Sequence, residues 1–574
     1  MSIESYFVLF VFIGTIIGLI KFQQRPSLIF GITLLVLFVS SMVTTEQVLQ
    51  SFSNQGVVTL ILLLVCSLAL EKTRFLRMIA TKVIHKSYAK TFMRLFSFTV
   101  ISSAFLNNTA VVSTMLAPIR NNPYHAASKL LLPLSYAAIL GGTLTLVGTS
   151  TNLIVNSLVL GLGLPSLDFF DFTLVGACLV IACGTALWFL LRFLPEHDVN
   201  AEVMQSYFID AKVSEKSNLV GKSIEENGLR HLESLFLVEI VRDKYLLSPV
   251  APSEVLQAND RLIFSGDVTK VKQLNQFGLS IFAHHKGFLL DNLTEVVIRP
   301  ESVLLGKSLR KAGFRALFDA AVVAIKRDGE NVSGKLGEVV LRAGDYLVLA
   351  VGEDFKSRRN ISKNFILISG VELDSMLSGT KALLAVLGFF VAIIGSALGL
   401  FSLFKGLTIL LGLLLISGCL TSGEVLRRFP VDLWVIISAA LVLSHALANS
   451  GLLAFLDHIV EHYALGMPPL FVLILVYVLT WWLTELVTNN AAAALIFPIA
   501  YGLALTLDAN PMAFIMAVSF GASASFVSPY GYQTNLMVFN AGQYKLSDFV
   551  KIGLPISLIY GVVAVTAITL VFGL

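Results

Sequence analysis

Apolar runs long enough to cross a bilayer recur along most of this chain, and two of them are interrupted by paired asparagines. Runs near 6–20, 27–43, 55–70 and 173–194 lie in the first third, and runs near 379–401, 406–422, 431–448 and 549–573 lie in the last. About 20 apolar residues make a spanning helix. Of the 574 residues, 56% are hydrophobic and 14% charged, against about 25% charged in a soluble protein. The expected fold class is a polytopic α-helical membrane protein. A net charge of +4 gives no reason to expect a nucleic-acid partner. Cys66, Cys178, Cys183 and Cys419 all lie in apolar segments, with no metal or redox spacing, and read as packing residues. The chain opens Met1-Ser2-Ile3-Glu4 without a basic lead, so the first run reads as a retained helix.

The first polar break is Leu106-Asn107-Asn108-Thr109-Ala110, within an apolar segment at about 92–120. Arg94 precedes it, and Arg120 and Lys129 follow. Basic flanks on both ends mark the cytoplasmic side, which predicts a re-entrant hairpin with the asparagines at its tip. Irregular backbone at that depth is tolerated only against protein or a water-filled cavity. A second segment, about 130–162, is broken at Gly148-Thr149-Ser150-Thr151-Asn152. The same pair recurs downstream: a hairpin at about 469–506 with its tip at Thr488-Asn489-Asn490, and a broken helix at about 511–542 interrupted at Pro529 to Asn535.

The correspondence is positional. Ser103, Asn107, Asn108 and Thr109 map onto Thr484, Thr488, Asn489 and Asn490, and Gly148 and Asn152 map onto Gly531 and Asn535. Residues 71–94 carry Lys72, Arg74, Arg77, Lys82, Lys86, Lys90 and Arg94 and read as an interfacial amphipathic helix. Its counterpart, 452–465, carries Asp457, His458, Glu461 and His462 and no Lys or Arg. Opposite charge demands opposite faces, so the halves are expected to be inverted. Inverted repeats with paired discontinuous segments place a substrate between them near the midplane. Helix N-terminal ends there attract anions, whereas carbonyl ends and Asn or Thr oxygens suit Na⁺. Glu485 is an intramembrane acid open to either a functional or an anchoring role. His445 reads as a packed histidine and His458 and His462 as surface residues.

Between the halves, residues 198–370 are charged and alternate like strands. They repeat at a spacing of 85: Gly221-Lys222-Ser223 with Gly306-Lys307-Ser308, Ile240-Val241-Arg242-Asp243 with Ile325-Lys326-Arg327-Asp328, and Asp260 with Asp345. Two copies of a small α/β domain follow, at 198–285 and 286–370, between membrane halves at 1–197 and 371–574. Gly-Lys-Ser here lacks the glycine of a phosphate loop, since Lys216 and Glu301 stand where it would be.

The ordered motifs resemble the divalent-anion:sodium symporters. Asn-Asn-Thr and Thr-Asn-Asn are similar to that family's Ser-Asn-Thr tips, Thr484-Glu485-Leu486-Val487-Thr488-Asn489 to its Thr-Glu-x-x-Ser-Asn hairpin, and Gly148 to Asn152 to its Gly-Thr-Pro-Pro-Asn break. The soluble copies resemble the C-terminal regulatory (TrkA-C) domains of potassium-uptake proteins, which one branch of the symporters carries. Asn107, Asn490 and Tyr532-Gln533-Thr534 depart from the family pattern. The resemblance implies a homodimer in the inner membrane, Na⁺ coupling and elevator-type alternating access. It places Na⁺ at Ser103, Asn107, Asn108, Gly148 and Asn152 and at Thr484, Thr488, Asn489, Gly531 and Asn535. It places the anion, sulfate ahead of a dicarboxylate, against Asn108, Thr109, Thr149, Ser150, Asn489, Asn490 and Gln533. Arg192, at the end of the run before the insert, marks the cytoplasmic side again, so the insert is expected there and both termini on the opposite side; no catalytic constellation is visible. The insert is expected to bind a regulatory ligand such as a cyclic dinucleotide or other nucleotide, or else to serve as a structural dimerisation module. Competing readings are an ion channel gated by the insert, a nucleotide sensor with vestigial transport, and proton in place of sodium coupling. A channel filter of the Thr-Val-Gly-Tyr-Gly type does not occur.

Overall fold

A computed structural model describes residues 2–22, 25–73, 83–120, 122–196, 208–214, 217–229, 235–242, 245–247, 250–266, 279–282, 293–299, 302–327, 330–332, 336–351, 355, 358, 360–369, 377–452 and 468–574. The first membrane half comprises α1 (Ile3–Lys21), α2 (Pro26–Val39), α3 (Thr45–Phe52), α4 (Gln55–Glu71), α5 (Tyr88–Phe105), α6 (Asn108–Arg120), α7 (Ser128–Gly142), α8 (Ser150–Gly161) and α9 (Thr173–Leu190). The second comprises α10 (Gly379–Ala397), α11 (Leu403–Ile416), α12 (Ser422–Arg427), α13 (Val431–Asn449), α14 (Pro469–Leu486), α15 (Asn489–Thr506), α16 (Pro511–Ser523), α17 (Gln533–Ala541) and α18 (Leu546–Phe572). Among the described residues, nine α-helices precede the strands and nine follow them. Among the described residues, eight helical stretches are long and apolar enough to cross a membrane, and the chain is an integral membrane protein.

Burial sorts these helices. In α7 every residue but Lys129 is buried, and in α16 all from Ala513 to Ser523 are. A helix apolar all round belongs in the core, and these two carry the polypeptide into the helix breaks. By contrast α1 and α10 bury only 28% of their spanning windows, and their remaining apolar surface is lipid-facing in character.

The structure departs from the sequence expectations in several places. Two short helices, α3 and α12, precede α4 and α13, each opened by a capping box: Thr44 with Gln47, and Thr421 with Glu424. Reciprocal capping satisfies two otherwise free N–H groups, which lets so short a helix hold. Tyr88 begins α5, so Lys90 and Arg94 sit on the entering arm of the hairpin and not on an interfacial helix. The rest of that expected helix, 74–82, lies outside the described residues, as does nearly all of 452–465. The helix breaks also begin earlier than read. α7 ends at Gly142 and α16 at Ser523, so Ser150 and Asn152 belong to the first turn of α8, and Asn535 to that of α17. Cys66, Cys183 and Cys419 are buried, whereas Cys178 is exposed on α9.

The insert forms two five-stranded antiparallel sheets. The first uses β1 (Phe208–Val213), β2 (Leu235–Arg242), β3 (Tyr245–Leu247), β4 (Arg261–Gly266) and β5 (Leu279–Phe282) in the order β3-β2-β4-β1-β5. The second uses β6 (Leu293–Ile298), β7 (Ala320–Arg327), β8 (Glu330–Asn331), β9 (Tyr346–Val351) and β10 (Phe365–Ser369) in the order β10-β6-β9-β7-β8. Read from β8, the second order reproduces the first strand for strand. Even the pins match. Arg242 forks onto both Asp260 oxygens at 2.9 Å, and Arg327 onto Asp345 at 2.8 and 2.7 Å. The Gly-Lys-Ser turns end in bridges, Ser223 with Val255 and Ser308 with Val340. Gly221 and Gly306 have φ of +84° and +71°. These glycines serve a left-handed turn.

Candidate substrate and ion site

Four half-helices begin at the polar breaks: α6 at Asn108, α8 at Ser150, α15 at Asn489 and α17 at Gln533. Their leading residues are tied together across the halves. Asn108 Nδ2 donates to Tyr532 Oη at 2.7 Å, and Thr109 Oγ1 to Gln533 Oε1 at 3.2 Å. Ser150 Oγ donates to Asn490 Oδ1 at 3.1 Å. The Thr149 side chain lies beside that of Tyr532. Each hairpin tip therefore meets the helix break of the other half. Four helix N-termini gathered in one place present unsatisfied N–H groups and the positive ends of four dipoles.

Beside the tips sit two matched oxygen clusters. The Ser103 hydroxyl lies between Asn108 Oδ1 and the Ala138 carbonyl, the latter at 2.9 Å. The Thr484 hydroxyl lies between Asn489 Oδ1 and the Ala522 carbonyl, both at 2.8 Å. In each case one hydroxyl proton faces two acceptors, so oxygen lone pairs outnumber donors in a buried place. Ser103 and Thr484 are fully buried, and Asn108 and Asn489 are 2% and 4% exposed.

The breaks are bridged in parallel fashion. Asn152 Nδ2 reaches the Thr145 carbonyl at 2.9 Å and that of Gly142 at 3.5 Å. Asn535 Nδ2 reaches Ser525 at 2.8 Å and Ser528 at 3.5 Å. These amides satisfy carbonyls freed by the interruption, which lipid could not do. Gly148 and Gly531 sit inside the breaks with no room for a side chain. A Cβ on Gly148 would lie 2.5 Å from the Gly142 carbonyl oxygen, and one on Gly531 would lie 2.6 Å from Ser525 Oγ and 2.9 Å from the Thr484 carbonyl oxygen. Gly531→Ala is expected to push the Thr484 backbone away and cut transport at least tenfold, with the protein still monodisperse on gel filtration; wild-type uptake would count against this packing argument.

Other site residues read from the sequence have separate jobs. Asn107 Oδ1 accepts from the Thr109 N–H at 2.9 Å, and Thr488 Oγ1 accepts from the Ala491 N–H at 3.3 Å. Both side chains cap a half-helix and are not part of the oxygen clusters. Glu485 is an anchor: Oε1 accepts from the Phe526 and Val527 N–H groups at 3.0 and 2.9 Å, and Oε2 from Ser528 at 2.7 Å. It holds the α16–α17 break against the end of α14. Two further contributors are not among the site residues expected from the sequence. Tyr532 sits at the centre of the cross-half ties, and Ser135 Oγ lies 2.9 Å from Thr534 Oγ1 and 2.7 Å from Asn535 Oδ1. Ser135 gave no signal among apolar neighbours, but Tyr532 immediately precedes Gln533 in the polar break.

Among the described residues, no group of three or more His, Cys, Asp or Glu side chains could hold a metal. A model of the citrate transporter family (CitMHS) matches residues 7–519. The chain is 29% identical over 566 residues to an uncharacterized transporter of Synechocystis sp., covering 94% of this chain and 92% of that one. It is 29% identical over 376 residues to sodium/sulfate cotransporter 1 of Chlamydomonas reinhardtii, covering 62% of this chain and 42% of the relative. Sodium/sulfate cotransporter 2 of the same alga matches at 29% over 377 residues, covering 63% and 42%. These relatives point to a transporter rather than an enzyme. With a family match spanning nearly the whole chain, the protein belongs to the citrate transporter family.

Proposed function

We propose that the protein is a secondary active transporter that takes up a small divalent anion with Na⁺, sulfate ahead of a dicarboxylate. The observation that carries this reading is the pairing of four half-helix N-termini with two buried oxygen clusters. The N-termini supply N–H groups for an anion without a full positive charge. No Lys or Arg lies within either break, so bound cations are the natural source of compensating charge. Ser103, Asn108 and the Ala138 carbonyl would hold one Na⁺, and Thr484, Asn489 and the Ala522 carbonyl the other. Neutral oxygens of this kind line the cation sites of discontinuous helices. Thr109, Thr149, Ser150, Asn490, Gln533 and Tyr532 would face the anion. The match to relatives named sodium/sulfate cotransporters supports both the anion class and the coupling ion.

In this reading the two halves are inverted repeats and transport follows elevator-type alternating access in a homodimer. The insert is a pair of TrkA-C-type regulatory domains on the cytoplasmic side, and both termini lie on the other. The test is uptake of radiolabelled sulfate, succinate and citrate into proteoliposomes, with a Na⁺ gradient or with K⁺ in its place. Saturable, Na⁺-dependent sulfate uptake is expected. Uptake that persists without Na⁺ and follows an imposed pH gradient would replace Na⁺ by H⁺. Preference for citrate over sulfate would correct the anion.

A further inference from the structure

The second soluble sheet is docked on the helices that carry the site. β10 packs on α6 and β6 on α17. Val297, Tyr346, Val348 and Ile366, all on this sheet, belong to the membrane core's packed cluster, whereas no described residue of β1 to β5 does. Arg120, the last residue of α6, is 3% exposed. Its Nη2 donates to Glu295 Oε1 on β6 at 3.1 Å, and its guanidinium lies 4.7 Å from the Tyr346 ring on β9. The turn before β9 abuts α17 so closely that a Cβ on Gly344 would lie 2.6 Å from Leu536 Cγ and 2.9 Å from Asn540 Nδ2. One sheet thus holds the far end of α6 and the Leu536–Asn540 side of α17, two helices that begin at Asn108-Thr109 and Gln533.

The face is particular to the second copy. Eighty-five positions earlier, the residues matching Val297, Tyr346, Val348 and Ile366 are Lys212, Arg261, Ile263 and Ile281. Two cations stand where the second copy has Val and Tyr, so the first sheet is not built for the same apolar seat. The insert is also strung between different parts of the membrane domain. Where it leaves α9, Ser128 Oγ donates to the Pro195 carbonyl at 2.8 Å and Lys129 pairs with Glu196, whose carboxyl that contact holds below its ordinary value. Where it enters α10, the Leu377 N–H donates to the Lys72 carbonyl at 2.8 Å, at the end of α4.

We propose that this docking is an autoinhibitory latch. Asn108 and Thr109 are bonded to Tyr532 and Gln533, so the groups an anion would use are spent on each other. An anion enters only if the starts of α6 and α17 part, and a sheet bound to both helices opposes that. A ligand or partner that lifts the second copy off Arg120 and Leu536 relieves the block. The inference rests on the transport reading above.

The test combines two readouts. In Tyr346→Ala and Glu295→Gln, hydrogen–deuterium exchange over 108–120 and 533–541 is expected to rise, and the initial uptake rate to rise at least threefold. Unchanged exchange overturns the latch, whatever is transported. Raised exchange with equal or slower uptake overturns its inhibitory sense. Conversely, a Gly344→Cys/Leu536→Cys pair in a Cys178→Ala background is expected to stop uptake when oxidised and to regain it with reductant. The reduced form is the control for strain at Gly344, whose φ is +82°. An oxidised form that works as fast as the reduced one overturns the proposal. Failure of the wild type and all variants to move sulfate, succinate or citrate defeats the transport reading and with it the inhibitory sense of the latch, while the exchange data still decide the contact.

Discussion

Asn108→Ala and Asn489→Ala are each expected to reduce anion uptake at least a hundredfold while leaving the folded protein intact. Asn108 has two duties. Its Oδ1 is one corner of the oxygen cluster with Ser103, and its Nδ2 holds Tyr532 at 2.7 Å. Asn489 Oδ1 is the matching corner beside Thr484 at 2.8 Å. A hydrogen bond to a charged group contributes ~1.5–3 kcal/mol, and tenfold in an equilibrium constant is ~1.4 kcal/mol. In the reading proposed above each variant loses a cation ligand, and Asn108→Ala an anion-facing tie as well, which reaches roughly two orders of magnitude. The fold tolerates it because Ser103 and Thr484 can still donate to the Ala138 and Ala522 carbonyls. Uptake in proteoliposomes and the thermal midpoint of the detergent-solubilised protein, measured on the same preparations, check both halves. Uptake above about a tenth of wild type in either variant would remove that asparagine from the site.

Glu485→Gln is expected to have the largest effect on stability. Three backbone N–H groups, those of Phe526, Val527 and Ser528, point at one carboxylate. A glutamine amide offers one oxygen and turns an NH₂ toward the remaining donors. Breaking a buried charged contact from one side costs about 3–5 kcal/mol, much of it as donors left without a partner. The thermal midpoint should fall by several degrees or more, and uptake should disappear as the α16–α17 break loosens. A Glu485→Gln protein with an unchanged midpoint would show that the carboxylate is not an anchor. The first half has Ala104 at the matching position, so no reciprocal variant exists there.

The sequence displayed its polar breaks because asparagine in an apolar run is conspicuous. Fixed offsets pair Ser103 with Thr484 and Gly148 with Gly531, and the hydroxyls of the first pair make matching hydrogen bonds. What a side chain does with its atoms was less legible. Asn107 and Thr488 are expected as ion ligands, and their side-chain oxygens cap helices, because an Asn or Thr just before a helix start satisfies an N–H two or three residues on. The donors that fix Glu485 come from 41 to 43 residues away, beyond any local pattern. The short helices α3 and α12 were signalled by Thr-x-x-Gln and Thr-x-x-Glu but masked by the apolar runs that follow. Arg120 reads in sequence as a marker of membrane orientation, and its burial against Glu295 could not be read there. Only tertiary packing distinguishes those two uses of an arginine.

The cross-half ties also set a timetable for making the protein. Asn108 and Tyr532 are 424 residues apart. At a synthesis rate of ~5–20 residues per second, the first hairpin tip waits roughly 20–85 s for its partner to be made. Throughout that interval its amide lacks the tyrosine that later covers it, and lipid offers no substitute. The soluble insert is synthesised during that wait. Chains truncated after the insert are expected to leave the first hairpin unseated and sensitive to proteases, so the membrane site is completed only near the end of synthesis.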